Sequence, residues 1–166
     1  MELASSIDEL AEGFDVSSFG AAPTKFDAED LFPLTRGVVQ AKPFAEVAPQ
    51  IAALGVPADQ AEAFWAVAKG NITVLEDLGP WWTLIRDGAA PLVDEADRAF
   101  VAQALTLLPP QPWTGESWGQ WTAAAKAASG RKGRDLFRPL RRALTGRDAG
   151  PEMADLMPLL RHVPQL

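Results

Sequence analysis

The sequence predicts an all-α protein, and three observations carry that prediction. Apolar residues recur at helical spacing in segment after segment, glycines and prolines fall where those segments should begin or end, and strand-like alternation is weak throughout. At 166 residues with 48% apolar composition, the chain can bury a sizeable core, as one domain or as two small packed ones. Cysteine is absent, which excludes disulfides, thiolate metal sites and cysteine nucleophiles. The acidic opening MELASSIDELAEGFD lacks the apolar segment of a secretory signal. No apolar run approaches the roughly 20 residues of a membrane helix. A soluble, cytoplasmic protein is the expectation.

The elements follow in order. Residues 5–12 read as a short amphipathic helix or turn, and FDVSSFGAAPTKF (14–26) as an extended lead-in. Asp27 offers an N-cap, with Asp30 in the first turn, to a helix reaching about Gln40. Pro43 opens the next, which puts Phe44, Val47, Ile51 and Leu54 on one face and stops at Gly55. A third runs from about Pro57 through Trp65 to Lys69. Residues 73–87 and 94–108 give two more, separated by DGAAPLV. The stretch PPQPWTG (109–115), with three prolines in seven residues, is the best candidate for a subdomain boundary. Beyond it, Trp118, Trp121, Ala125 and Ala128 form a stripe on a helix ending at Gly130. Pro139 must lie near the first turn of the following helix or kink it. Gly150-Pro151 opens a last helix through Leu160.

Charge is distributed unevenly. Residues 126–147 hold eight of the fifteen basic residues and one acid, Asp135, for a local +7 in a chain of net −7. As a helix, 134–145 places Arg134, Arg138, Arg141 and Arg142 on one face and Leu136, Phe137, Leu140 and Leu144 on the other, where they can pack on the tryptophan helix. Arginine suits phosphates and base edges because its planar fork donates two hydrogen bonds at once. The loop TGRDAG then leads to a helix start at Pro151, whose free N–H groups attract anions. A solvated basic helix face is the plain alternative.

The run GRKGRDLFRPLRRALTGRDAGPE (130–152), followed by an apolar helix, resembles the C-terminal anticodon-binding region of bacterial glutamyl-tRNA synthetases. The likeness extends upstream through FDVSSFG, APTKFDAEDL, KPFAEVAPQIAALGV and KGNITVLEDL, and so covers essentially the whole chain. The HIGH-like and KMSKS-like motifs of that family's catalytic half are absent, and so is a glycine-rich phosphate loop. The resemblance therefore implies a non-catalytic chain. It needs no cofactor of its own, and ATP and Mg2+ would belong to the missing half. It implies an all-α "helical cage" of two packed subdomains: a lead-in at 1–27, a first anticodon-binding unit at 28–110 and a second at 111–166. The implied partner is tRNA(Glu), with neither DNA nor membrane involved and a monomer expected. Arg141 matches the family's arginine against anticodon bases, and the turn Gly150, Pro151 to Met153 matches groups that meet the first anticodon base. Asn71, near Lys69, stands where some members place an arginine that separates tRNA(Glu) from tRNA(Gln), so tRNA(Gln) is a second candidate. Lys126, Arg131, Lys132, Arg134 and Arg138 would hold phosphates, with Arg142 on the same face.

Other constellations carry less. His162 is the only histidine and has no Gly-x-Ser-x-Gly partner motif. Glu76/Asp77 and Asp94/Glu95/Asp97 read as helix-surface or first-turn charge, not a metal site. Trp65, Trp118 and Trp121 fall at core spacings. Of the adjacent Trp81 and Trp82, at least one is expected to be partly exposed, and Trp113 should wedge the two subdomains together. A helical protein-interaction or regulatory module, docking an acidic partner on its basic face, is the rival reading. The two part on geometry. RNA reading needs Arg141 and the Pro151 turn on one concave surface, whereas docking spreads the arginines over a convex one.

Overall fold

The computed structural model describes residues 7–12, 14, 15, 17 and 31–166. Among them every regular element is helical: α1 (Ile7–Glu12), α2 (Leu31–Ala41), α3 (Phe44–Ala53), α4 (Ala58–Ala68), α5 (Leu78–Asp87), α6 (Arg98–Thr106), α7 (Ser117–Ser129), α8 (Arg134–Thr145) and α9 (Met153–Leu156). The all-α expectation is met. The extended lead-in over 14–26 and the Asp27 cap with Asp30 lie outside the described residues, except for Phe14, Asp15 and Ser17. No helix among the described residues is long and apolar enough to cross a membrane.

Local chemistry explains where the helices depart from expectation. The segment 73–87 does not start as a helix. The Asp77 carboxylate accepts hydrogen bonds from the Thr73 and Val74 N–H groups (2.8 and 3.1 Å), which holds a 3-10 turn at Leu75–Asp77 before α5. A second 3-10 turn, Glu95–Asp97, precedes α6. The last helix is shorter than predicted, running only from Met153 to Leu156 and then tightening into a 3-10 turn at Met157–Leu159. Pro158 has no N–H to continue the ladder and its ring would crowd the turn before it. Pro151 therefore precedes α9 instead of opening it.

One hydrophobic core runs from Val39 to Leu160. Phe64 packs edge-on against Trp82 (5.6 Å between centroids), and Trp121 is fully buried with its Nε1 donating to the Ala104 carbonyl at 2.7 Å. Trp81 and Trp82 are both buried, at 5% and 4% exposure, which corrects the expectation that one would reach solvent. Trp113 is also buried and donates to Pro109 O at 2.8 Å. On α7 the inward residues are Ser117, Trp121, Thr122 and Ala125, while Ala128 is exposed. By packing, α3 joins α4 and α4 joins α5, whereas α6 joins α7 and α8, and α7 also meets α9. The C-terminal residues return to the earlier helices: Arg161 N–H donates to Ile85 O (3.2 Å) and its guanidinium to Gln60 Oε1 (2.6 Å).

Candidate functional site

Helix α8 organises the basic segment, and Pro139 is its sixth residue, not one of its first turn. Proline leaves the carbonyl four residues back without its helical donor. That carbonyl, of Asp135, accepts instead from Arg131 Nη1 at 3.2 Å. Leu136, Leu140 and Leu144 are buried beneath the helix, as expected. Phe137 is not. It is 46% exposed.

The arginines divide into distinct environments. Arg142 does not share the outward face. Only 8% of its side chain is exposed, its Nη1 and Nη2 donate to the two Asp94 oxygens (2.5 and 3.2 Å), and its Nε has only Asp148, at 3.7 Å. The connector before α6 closes over it: Leu92 N–H donates to the Arg142 carbonyl at 3.1 Å while Asp94 meets its guanidinium, so a position that helical spacing leaves outward is covered by a remote segment. Arg131 donates to Asp97 (2.5 Å) and lies 4.2 Å above the Phe100 ring. Arg138 donates to Asp148 at 2.6 Å. These bonds hold the Asp94 and Asp148 carboxyls below the usual carboxylate range, and Asp148 in turn raises Arg138. Among the described residues Lys126, Lys132 and Arg134 are exposed and make no hydrogen bond or ion pair through their side chains.

Arg141 meets the turn after α8 directly. Its Nη1 donates to Pro151 O at 2.9 Å, and burial pushes the guanidinium down from its ordinary value while Glu152 opposes the shift. It remains a cation, as arginine does in proteins. Gly150 leaves no room for a side chain, since a Cβ there would lie 2.8 Å from Trp81 Cη2 and 3.5 Å from Arg141 Nη1. Arg147 stacks over the Trp81 ring at 4.4 Å. Arg141, Gly150, Pro151 and Trp81 therefore converge. Met153 does not take part through its side chain, which is 1% exposed and belongs to the core. The expected anion-attracting helix start is corrected too. Helix α9 has four residues, with Glu152 at its N-cap and Asp155 in its first turn.

Arg134, Phe137, Arg138, Arg141 and Asp148 line a cleft of about 470 Å³. A second cleft of about 340 Å³ shares Arg134 and Arg138 with it. Asn71 is exposed at the end of the 3-10 turn Lys69–Asn71. Helix α2 pins both flanks of Asn71, with Arg36 Nη2 donating to Gly70 O (2.9 Å) and Gln40 Nε2 to Ile72 O (3.2 Å). Neither Arg36 nor Gln40 is marked by any motif. Trp81, Asp94 and Asp97 also escape sequence reasoning as site residues, because their partners are remote in the chain, and Asp148 escapes it because the turn after α8 that returns it to Arg138 is not marked by spacing. Among the described residues no group of three or more His, Asp or Glu could hold a metal ion, and His162 is exposed.

Residues 38–161 match the model of the anticodon binding domain family. The chain belongs to that family. The match takes in the last turn of α2 and all of α3–α9, and with them both clefts and every candidate residue from Asn71 to Met153. The anticodon-binding domain is 63% identical over 166 residues to glutamate–tRNA ligase 2 of Dinoroseobacter shibae, covering 100% of the chain and 38% of that protein. It is 63% identical over 163 residues to glutamate–tRNA ligase 2 of Cereibacter sphaeroides, covering 98% of the chain and 37% of the relative. Glutamate–tRNA ligase 2 of Jannaschia sp. is 57% identical over 166 residues, again over 100% of the chain and 37% of the relative. The chain thus spans well under half the length of these relatives, and it corresponds to a non-catalytic, anticodon-binding part of such a ligase.

Proposed function

We propose that this domain grips the anticodon loop of tRNA(Glu) and so positions the tRNA for glutamylation by a catalytic half outside this chain. The observation that carries the reading is the meeting of Arg141 with the Gly150–Pro151 turn beside Trp81, at the edge of a cleft lined by Arg134 and Arg138. That meeting beside a cleft favours RNA reading over an acidic partner docked on a convex face. The domain contributes binding energy and identity, with no bond made or broken on it. Lys126, Lys132 and Arg134 contact phosphates and carry no sequence information, while Arg131 and Arg138, held by acids, shape the rim. Arg141 and the backbone of the turn read unstacked bases on their Watson–Crick edges, and Arg142 ties α8 to Asp94. Asn71 reads the third anticodon base by hydrogen bonding without charge, so tRNA(Gln) is admitted as a weaker ligand. The two helical units at 28–110 and 111–166, the lead-in at 1–27, a monomeric state and a cytoplasmic location belong to the same proposal.

Fluorescence anisotropy with labelled tRNA(Glu) tests it, with tRNA(Gln) and an anticodon-changed tRNA(Glu) as competitors. Arg141→Ala should weaken binding and relax base preference, whereas Lys132→Ala should weaken binding to all the tRNAs alike. Equal losses across every anticodon in both variants would contradict this division of labour. Binding indifferent to the anticodon would remove the proposal.

A further inference from the structure

Phe137 is unexplained by folding. Its neighbours Leu136 and Leu140 are buried, yet its own ring stands 46% exposed inside the cleft bounded by Arg134, Arg138, Arg141 and Asp148. The ring is nevertheless held. Its centroid lies 6.3 Å from that of the half-buried Trp118, with the planes 38° apart, and Trp118 packs edge-on against the fully buried Trp121 at 5.7 Å. An aromatic series thus runs from the core to the lining of the cleft. The backbone under it is fixed by the buried Pro139 and Leu140.

We infer that Phe137 is a stacking platform for one unpaired base of a single-stranded RNA loop. The inference rests on the tRNA-binding reading and deepens it. The cleft walls are guanidinium groups and one carboxylate, which suits a flat base joined to phosphates and suits an apolar helix poorly. Base–aromatic stacking does not depend on sequence, because every base has a π-face. Arg134 and Arg141 lie three residues before and four after Phe137 on the helix, so the first can reach the phosphate of a nucleotide seated between them and the second the edge of its base. Phe137 supplies affinity, and Arg141 supplies the reading. The cleft's roughly 470 Å³ falls within the range of ligand sites.

The test uses the anticodon stem-loop of tRNA(Glu) and a set in which each loop position in turn is abasic, bound to wild type, Phe137→Leu and Phe137→Trp. Wild type should lose about fivefold or more in affinity at one abasic position, the range for a stacked base being about 5- to 150-fold. Phe137→Leu should lose a similar factor on the intact RNA and become insensitive at that position. Phe137→Trp should restore both. A leucine variant that binds the intact loop like wild type, or keeps the full abasic sensitivity of wild type, overturns the inference and leaves the tRNA reading standing. A wild-type protein that ignores the stem-loop overturns the tRNA reading, and the inference with it.

Discussion

Gly146 decides how α8 hands over to the loop that carries Arg147, Asp148 and Gly150, and replacing it with alanine has a calculable cost. The residue ends α8 at φ 64, and a Cβ built there would lie 2.9 Å from the Ala90 carbonyl oxygen and 3.5 Å from Ala89 Cβ. Two penalties follow. A non-glycine residue in the left-handed region costs about 1–2 kcal/mol. Overpacking against a backbone oxygen, which cannot swing aside as a side-chain tip can, adds about 1–3 kcal/mol. Gly146→Ala should therefore destabilise by about 2–5 kcal/mol. Gly55 isolates the first penalty, since it has φ 78 and nothing within 4 Å of a built Cβ. Gly55→Ala should cost only about 1–2 kcal/mol. Urea unfolding followed by tryptophan fluorescence gives both values, provided the slope is unchanged. If the two variants lose the same stability, the 146–152 loop does not press on the Ala89–Ala90 connector, and the argument that this contact sets the loop's position fails.

Acid should weaken the domain through Asp94 and Asp148. Both titrate below the ordinary aspartate value of about 4 when folded, Asp94 chiefly because Arg142 donates to it and Asp148 chiefly because Arg138 does, so their contribution is complete above that value and is lost as pH falls through the lower folded values. Thermal melts should be flat with respect to these groups near neutrality and fall below about pH 4. Asp94→Asn and Asp148→Asn together should shrink that fall. Asp94→Ala should destabilise more than Arg142→Met, because it strands a buried guanidinium with only Asp148 at 3.7 Å, whereas methionine fills the same space without charge. Equal losses in urea unfolding would count against this. Salt titration of tRNA binding should give a log–log slope near −2, from three unpaired cations at about −0.7 each on single strands; a slope near −6 would mean that all eight basic residues of the segment meet phosphate.

The fold was legible where pattern and punctuation agreed. Val47 and Ile51 are buried on the predicted face of α3, and Gly55 and Gly130 take the positive φ expected at their helix ends. Legibility failed where a side chain competed with the backbone or where a partner was distant. Asp77 captured two N–H groups and delayed α5, which local propensity does not reveal. Pro158 cut short a helix that apolar spacing alone would have extended. Trp81 and Trp82 are both covered although they are adjacent on α5. The return of the 146–152 loop over Trp81 supplies the second cover, and no spacing rule foresees it.

The candidate site shows the same limit more sharply. Counted along the sequence, residues 126–147 carry +7, but folding commits most of that charge internally. Arg142 reaches Asp94 across 48 positions and Arg131 reaches Asp97 across 34, so both ends of the segment before α6 are tied to the basic segment. Arg138 holds Asp148, Arg141 holds the Pro151 carbonyl, and Arg147 lies on Trp81, so the loop after α8 is fixed as well. Arginine can do this where lysine could not, because a planar fork serves two acceptors or an aromatic face at one time. The cations left unpaired, Lys126, Lys132 and Arg134, gather between the end of α7 and the start of α8. A long, uniform polyanion would find no continuous stripe there to follow. A folded loop that places phosphates at that end and bases toward Phe137 and Arg141 would find both, and an acidic body surrounding the patch would discourage anything larger from settling on it.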